Sequence, residues 1–349
     1  MTLPRLSTLA LSALAVLASG AALAQQKTIY IGMNGGDMER SYTRYVFPAF
    51  ERIHNAKVVV VPGTSSDILA KVQASKEKPP VHVMFLDDGV MMRAIKIGLC
   101  QKMADSPVLK DLYPSARMAG SMAAGVNVGM TGIGYNKKMF DEKKWPAPTS
   151  WLDFADPKFK GKVVFQSMPS SSFGLHGFLM FNRTQGGSEK NVDPGFAKWG
   201  STIGPNVLEY IPSSAKLSEM VQNGEAAIFP LTPTGVAMQK ACGIPMEYAQ
   251  PKEGSVLLMV AECVTANNDS PQLAQKLAEF LLTPEAQAAA LEFGNQIPSN
   301  VKTKVSSAQA QATVDRFQGY MKTVITLDWD SVNALRPEWN TRWNKQIEK

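Results

Sequence analysis

The sequence has few of the residue patterns that mark a catalyst, a metal centre or a nucleic-acid binder. Its three histidines, His54, His82 and His176, share no metal-ligand spacing, and lone histidines are usually structural. Neither a G-x-S-x-G nucleophile elbow nor an H-E-x-x-H helix occurs, so no activated nucleophile or zinc base is signalled. No catalytic residue, bound metal or cofactor is expected. Charge is sparse and mixed: 36 Lys and Arg against 30 Asp and Glu leave +6. No basic run is long enough for a nucleic-acid patch, and aromatics are not interleaved with bases. Only three cysteines occur, Cys100, Cys242 and Cys263. An oxidising compartment permits one disulfide and leaves one thiol over. Spacing does not select the pair, and no disulfide at all stays equally open.

Long apolar runs are confined to the start of the chain. Arg5 supplies a positive charge, Leu9–Leu17 is apolar, and Ala22-Leu23-Ala24 has the small-residue form of a cleavage site. Cleavage is expected after Ala24, giving an exported, soluble chain in a bacterial periplasm. No later run approaches the roughly 20 apolar residues that span a bilayer. No Cys follows the apolar run, so a lipid-anchored Cys at the new terminus is not expected.

What is present is a composition that can bury a core, 45% hydrophobic over 349 residues, long enough for two domains. The informative stretch is Thr28–Asp37, TIYIGMNGGD. A β-branched and aromatic run breaks at Asn34-Gly35-Gly36, and a helical pattern follows to Phe50. Val58–Val61 and Val81–Leu86 repeat the theme. They run into Pro62–Ser66 and Asp87-Asp88-Gly89, and each loop is followed by a helix. Right-handed crossovers place three such loops on one edge of a parallel sheet, where open α/β sheets bind ligands.

Ser121–Tyr135 and Val256–Thr265 read as extended crossings between two domains. Between them come strands at 162–165, 207–210, 226–231 and 245–249. The loops of interest are Pro169–Gly174, opening a helix at Leu175, and Thr232-Pro233-Thr234. Thr149-Ser150 caps a turn whose Trp151 ring belongs in the core. The expected division is a leader over 1–24, one lobe from 25–125 with 260–349, and a second lobe over 126–259. The fold class is α/β, with each lobe a mainly parallel sheet flanked by helices and a two-strand hinge between them.

This order of pieces resembles the periplasmic solute-binding proteins of ABC importers, in the spermidine/putrescine-binding and ferric-binding group. The resemblance is carried by Thr149–Val164 (TSWLDFADPKFKGKVV), Asn223–Phe229 (NGEAAIF), Pro251–Gly254 (PKEG), Leu281–Gln287 (LLTPEAQ) and Ile297–Asn300 (IPSN). It implies a type 2 binding-protein fold, closure of two lobes on a ligand, and delivery to membrane permease subunits driven by a separate ATPase. It also implies substrate limits. Polyamine binders have Trp where this chain has Asn34, and Trp-Met-Asp where it reads Leu258-Met259-Val260. They carry aromatic or acidic side chains near Ser170–Ser172 and Thr232. The aromatic box and the carboxylate for a polyamine are therefore missing. The ferric binders' adjacent Tyr pair is absent too.

The positions that remain are hydroxyls and small residues. Ser170, Ser171 and Ser172 sit at a helix start, where free N–H groups and the dipole favour an anion. Thr64 and Ser65 oppose them from the other lobe. Asp87 and Asp88 are placed to hold an amine, and Asn34, Gly35, Thr232 and Thr234 complete the candidate set. Each has a plain alternative as a cap or turn. Glu262 reads as an interlobe or surface charge, with ligand contact the minor alternative. The ligand expected is a small organic anion or zwitterion, with a polyamine or other cationic amine as the alternative. The carrier is expected to be a monomer. Two other classes compete: an enzyme that reuses the fold, and a sensor partner of a membrane receptor.

Overall fold

The computed structural model describes residues 26–348; the expected cleavage site at Ala24 lies outside them. The chain opens with β1 (Lys27–Met33), α1 (Asp37–Ser41), a π-helical turn (Tyr42–Val46), α2 (Phe47–His54), β2 (Ala56–Pro62) and α3 (Ser65–Ala74). It continues with β3 (Val83–Asp87), α4 (Asp88–Lys96), β4 (Cys100–Gln101), α5 (Pro107–Lys110) and the long β5 (Ala124–Asn136). Then follow α6 (Lys137–Lys143), β6 (Val163–Gln166), α7 (Ser172–Thr184), α8 (Asp193–Trp199), β7 (Val207–Ile211) and α9 (Leu217–Gln222). After β8 (Ile228–Leu231), α10 (Pro233–Ala241) and β9 (Met246–Ala249), β10 (Ser255–Thr265) runs back. The remainder is α11 (Pro271–Leu281), α12 (Pro284–Gly294), β11 (Ile297–Pro298), α13 (Ala308–Met321), β12 (Val324–Ile325) and α14 (Trp329–Gln346).

The strands follow one path, β2-β1-β3-β10-β5-β8-β6-β7. β1 pairs in parallel with both neighbours, Ile31 opposite Val60 on β2 and Val83 on β3. Their carboxyl ends therefore share one edge, as expected from the three strand-loop-helix repeats. Gly63 N–H donates to Met33 O at 3.2 Å and ties the first two loops together. β5 and β10 are antiparallel partners over most of their length, with a register shift at Val260/Ala261. β6, β7 and β8 form the second parallel group.

The helix read over Tyr42–His54 is split by the π turn. Pro48, in the first turn of α2, has no N–H to donate, and the wider turn lies just before it. Cys100 and Cys263 form a disulfide between β4 and β10, and Cys242 is free and exposed. Trp151 is buried, its indole N–H donating to Gly254 O at 2.9 Å, over the Ser150 cap.

One core gathers Ile29, Ile31, Phe47, Phe50 and Phe85 under the first sheet. Another gathers Phe165, Phe178 and Trp199 under the second. α14 touches both halves. Trp339 and Trp343 belong to the second core, while Asn333 Nδ2 donates to Gly89 O at 3.0 Å on α4. Val332, Arg336, Trp339 and Trp343 make the buried stripe of that helix, the spacing of one helical face.

Candidate functional site

Two helix N-termini, those of α3 and α7, and the end of β3 meet where the two halves face each other. α3 begins with a capping box: Asp67 N–H donates to Thr64 Oγ1 at 3.2 Å, and Thr64 N–H to Asp67 Oδ2 at 3.0 Å. That occupies Thr64 in its own helix and leaves Ser65, buried at N1, to face β3. Ser65 Oγ accepts the Asp87 N–H at 3.0 Å. From the other half, Ser171 caps α7 by accepting the Phe173 N–H at 3.2 Å. Ser172, one residue on, is 8% exposed. α7 packs tightly on the end of β6 because Gly174 has no Cβ; one there would meet Gln166 O at 2.2 Å.

Asp87 is the point of contact. The hydroxyls of Ser172 from one half and Ser65 from the other both favour its charged form. Burial raises its pKa above the usual carboxylate range, against the pull of those two hydroxyls and of Arg336. Arg336 reaches the same place from α14 and donates to Met168 O at 3.3 Å and Pro169 O at 3.4 Å. It thereby braces the residues immediately before the serine loop. Burial and then Arg93 bring the guanidinium down to about 10, so it stays charged at neutral pH. His176, on α7, is held neutral: burial, then Arg336, lower it to about 3. Its Nδ1 lies 2.8 Å from Thr131 Oγ1, while Nε2 is buried without a partner.

The expected residues divide into groups. Ser65, Asp87 and Ser172 are brought together. Thr64 and Ser171 lie beside them as caps. Ser170 turns away, donating to Pro212 O at 3.0 Å. Thr232 caps α10, accepting the Gly235 N–H at 3.0 Å, and Thr234 donates to Asn295 O at 3.2 Å across the two halves. Asn34 is half-buried and Gly35 exposed on the adjoining loop. Asp88 does not join Asp87. Its Oδ2 accepts the Trp329 indole N–H at 3.3 Å, and its Oδ1 the Gly89 N–H at 3.0 Å. Glu262 is not a surface charge either. It is fully buried between Phe85 and Ala124, and desolvation raises its pKa well above the usual range.

Arg336, Trp329 and His176 were not singled out as site residues from the sequence. The legible signal for Arg336 was its position on an otherwise apolar helical stripe. A cation there must find acceptors when the stripe is buried.

The family profile described as bacterial extracellular solute-binding protein matches residues 46–318. A periplasmic protein of Salmonella typhimurium, named for 2-aminoethylphosphonate binding, is 23% identical over 354 residues, covering 99% of each chain. The spermidine/putrescine-binding periplasmic protein of Escherichia coli is 26% identical over 186 residues, 52% of this chain and 51% of its own. The structure of the periplasmic binding protein AfuA from Actinobacillus pleuropneumoniae, with fructose-6-phosphate bound, aligns with a TM-score of 0.75 and 20% identity. That alignment covers 93% of this chain and 98% of the other. These relatives are binding proteins, and among the described residues no helix is long and apolar enough to cross a membrane.

Proposed function

The chain belongs to the bacterial extracellular solute-binding protein family, and from that premise we propose that it captures a small zwitterion or organic anion between its two halves. Ser65 and Ser172, each in the first turn of a helix, supply hydroxyls and free amides to the anionic end. Arg336 adds a fixed positive charge behind the serine loop, and Asp87 takes the amine. The observation that carries the reading is the convergence of two helix N-termini, from opposite halves, on one buried carboxylate. Full-length similarity to a protein named for an aminophosphonate supports it.

The two lobes are residues 25–125 with 260–349, and 126–259, with α14 lying across both. β5 and β10 act as the hinge on which the lobes close. The leader is removed after Ala24, and the exported monomer hands its ligand to the permease subunits of an ABC importer. It performs no chemistry on that ligand.

Isothermal titration tests this with 2-aminoethylphosphonate, small amino acids, dicarboxylates, inorganic phosphate, putrescine and spermidine. Saturable one-to-one binding of an anionic or zwitterionic compound is expected, and Ser172→Ala should weaken it about tenfold. Binding of the polyamines alone would overturn the assignment. Polyamine capture is the second reading, favoured by the spermidine/putrescine-binding relative and by Asp87.

A further inference from the structure

A cavity of about 390 Å³ lies against the crossing strands, beside the serine-lined contact. Its walls come from α4, β5, β10 and the segment that leads into α14. Met92, Met259, Met321 and Leu257 are among its apolar lining, together with the Trp329 indole. Asp88 is the one charged residue among those lining it. Among the residues lining this space, Met321 is exposed, whereas Asp88 is only 7% exposed.

We propose that this cavity is a second small-molecule site, which takes a compact apolar ammonium with its cation on the Asp88 carboxylate. Unbranched thioethers and an indole adapt to an apolar body and are polarisable toward a cation or an aromatic ring. A pocket that is mainly apolar with a few polar groups is the usual form of a small-ligand site. Asp88 has only neutral donors, the Gly89 and Met259 amides and the Trp329 indole, and the Asp87 carboxylate stands next to it. Burial, then that neighbour, push Asp88 up to about 7. An ammonium at hydrogen-bonding distance replaces the missing counter-charge, and a neutral ligand of the same shape does not. An anion is disfavoured there for the same reason. Neither carboxylate selects the ligand class by itself; the cavity and the single charge in its lining do so together.

The probe is 2-phenylethylamine, with 2-phenylethanol as its neutral counterpart, titrated calorimetrically into the full mature chain. The amine should bind one-to-one and at least about tenfold more tightly than the alcohol. Asp88→Asn should erase that preference. Leu257→Trp, which fills the cavity from β10, should abolish binding of both while retaining a cooperative melting transition. Ser172→Ala should leave the amine titration unchanged. Equal affinity for amine and alcohol in the wild-type chain overturns the proposal, as does absence of saturable amine binding. So does amine binding that survives Leu257→Trp, or that falls as much in Ser172→Ala as in Asp88→Asn.

Discussion

The serine-lined contact and the methionine-lined cavity lie on two sides of one strand end, and they are made from different materials. On one side, Asp87 is met by hydroxyls from both halves and lies within reach of Arg336. On the other, Asp88 has an indole and two backbone amides as donors and thioethers around it. Two identical side chains, adjacent in sequence, thus have unlike surroundings. Asp87 ends β3 and Asp88 begins α4, and the backbone turns between them, so a pair of carboxylates there need not act as a pair. The lesson concerns reading such motifs: Asp-Asp after a strand is two separate observations until the faces are known.

The sharpest way to break the comparison is to remove the hydroxyls on one side only. Ser65→Ala with Ser172→Ala takes away both hydroxyls that favour the charged form of Asp87. Affinity for the tightest anionic or zwitterionic compound of the titration panel should fall about a hundredfold or more, roughly 3 kcal/mol. The 2-phenylethylamine isotherm of the same double variant should not move. If both isotherms weaken together, the two surroundings are one site, and the separation drawn here is wrong.

Much of this arrangement was legible in the residues. The repeats ending at Asn34, Thr64 and Asp87 placed three loops on one parallel edge, because alternation and glycine breaks are local signals. For Ser171 and Thr232 a cap or turn was only the plain alternative to ligand contact, and both are caps. What could not be read was anything set by contacts distant in sequence. Asp88 and Trp329 meet across 241 positions, and Arg336 reaches the carbonyl of Met168 across 168. Burial of Glu262 is of the same kind. Its neighbours across the strands, Phe85 and Ala124, come from two other parts of the chain. The disulfide likewise joins residues 163 apart, a separation on which spacing is silent.

The next largest effect sharpens the electrostatic half of the comparison. Asp88 is raised from 3.8 to about 7 in the folded chain, so folding takes up a proton between those values. The folded state binds more protons there than the unfolded state, and stability therefore falls as pH rises through the window. Asparagine cannot ionise and removes that fall. Relative to wild type, Asp88→Asn should gain about 4 kcal/mol of stability on going from near pH 4 to above pH 7, read from urea midpoints. His176 and Glu262 titrate alike in both chains and cancel. A pH-independent difference between variant and wild type would mean that Asp88 is not the buried acid described here.

Gly89→Ala probes the wall itself. A Cβ there would stand 2.2 Å from a ring carbon of Trp329, so the indole must move or the helix must shift. Overpacking of this kind costs about 1–3 kcal/mol. The thermal midpoint should drop, and 2-phenylethylamine binding should weaken with it because the indole forms one wall. Ligand binding between Ser65 and Ser172 should persist in this variant. Alanine tolerated with unchanged melting and unchanged amine affinity would show that Trp329 does not hold that wall.

The smallest expected effect separates two adjacent serines as the aspartates were separated. Ser171 Oγ accepts the Phe173 N–H at 3.2 Å and so satisfies a free amide of α7, whereas the Ser172 hydroxyl favours the charged form of Asp87 in the other half. Ser171→Ala should therefore cost about 1 kcal/mol of stability, the usual worth of a serine cap. Ser172→Ala should cost little stability, because water or a ligand can satisfy the carboxylate it leaves, and should show its effect in affinity. Chemical denaturation and titration on both variants give four numbers whose pattern decides the matter. Loss of stability with Ser171→Ala and loss of affinity with Ser172→Ala assign a cap and a ligand contact. Equal losses of affinity would instead make the whole helix start the binding element, with its amides dominant over either hydroxyl.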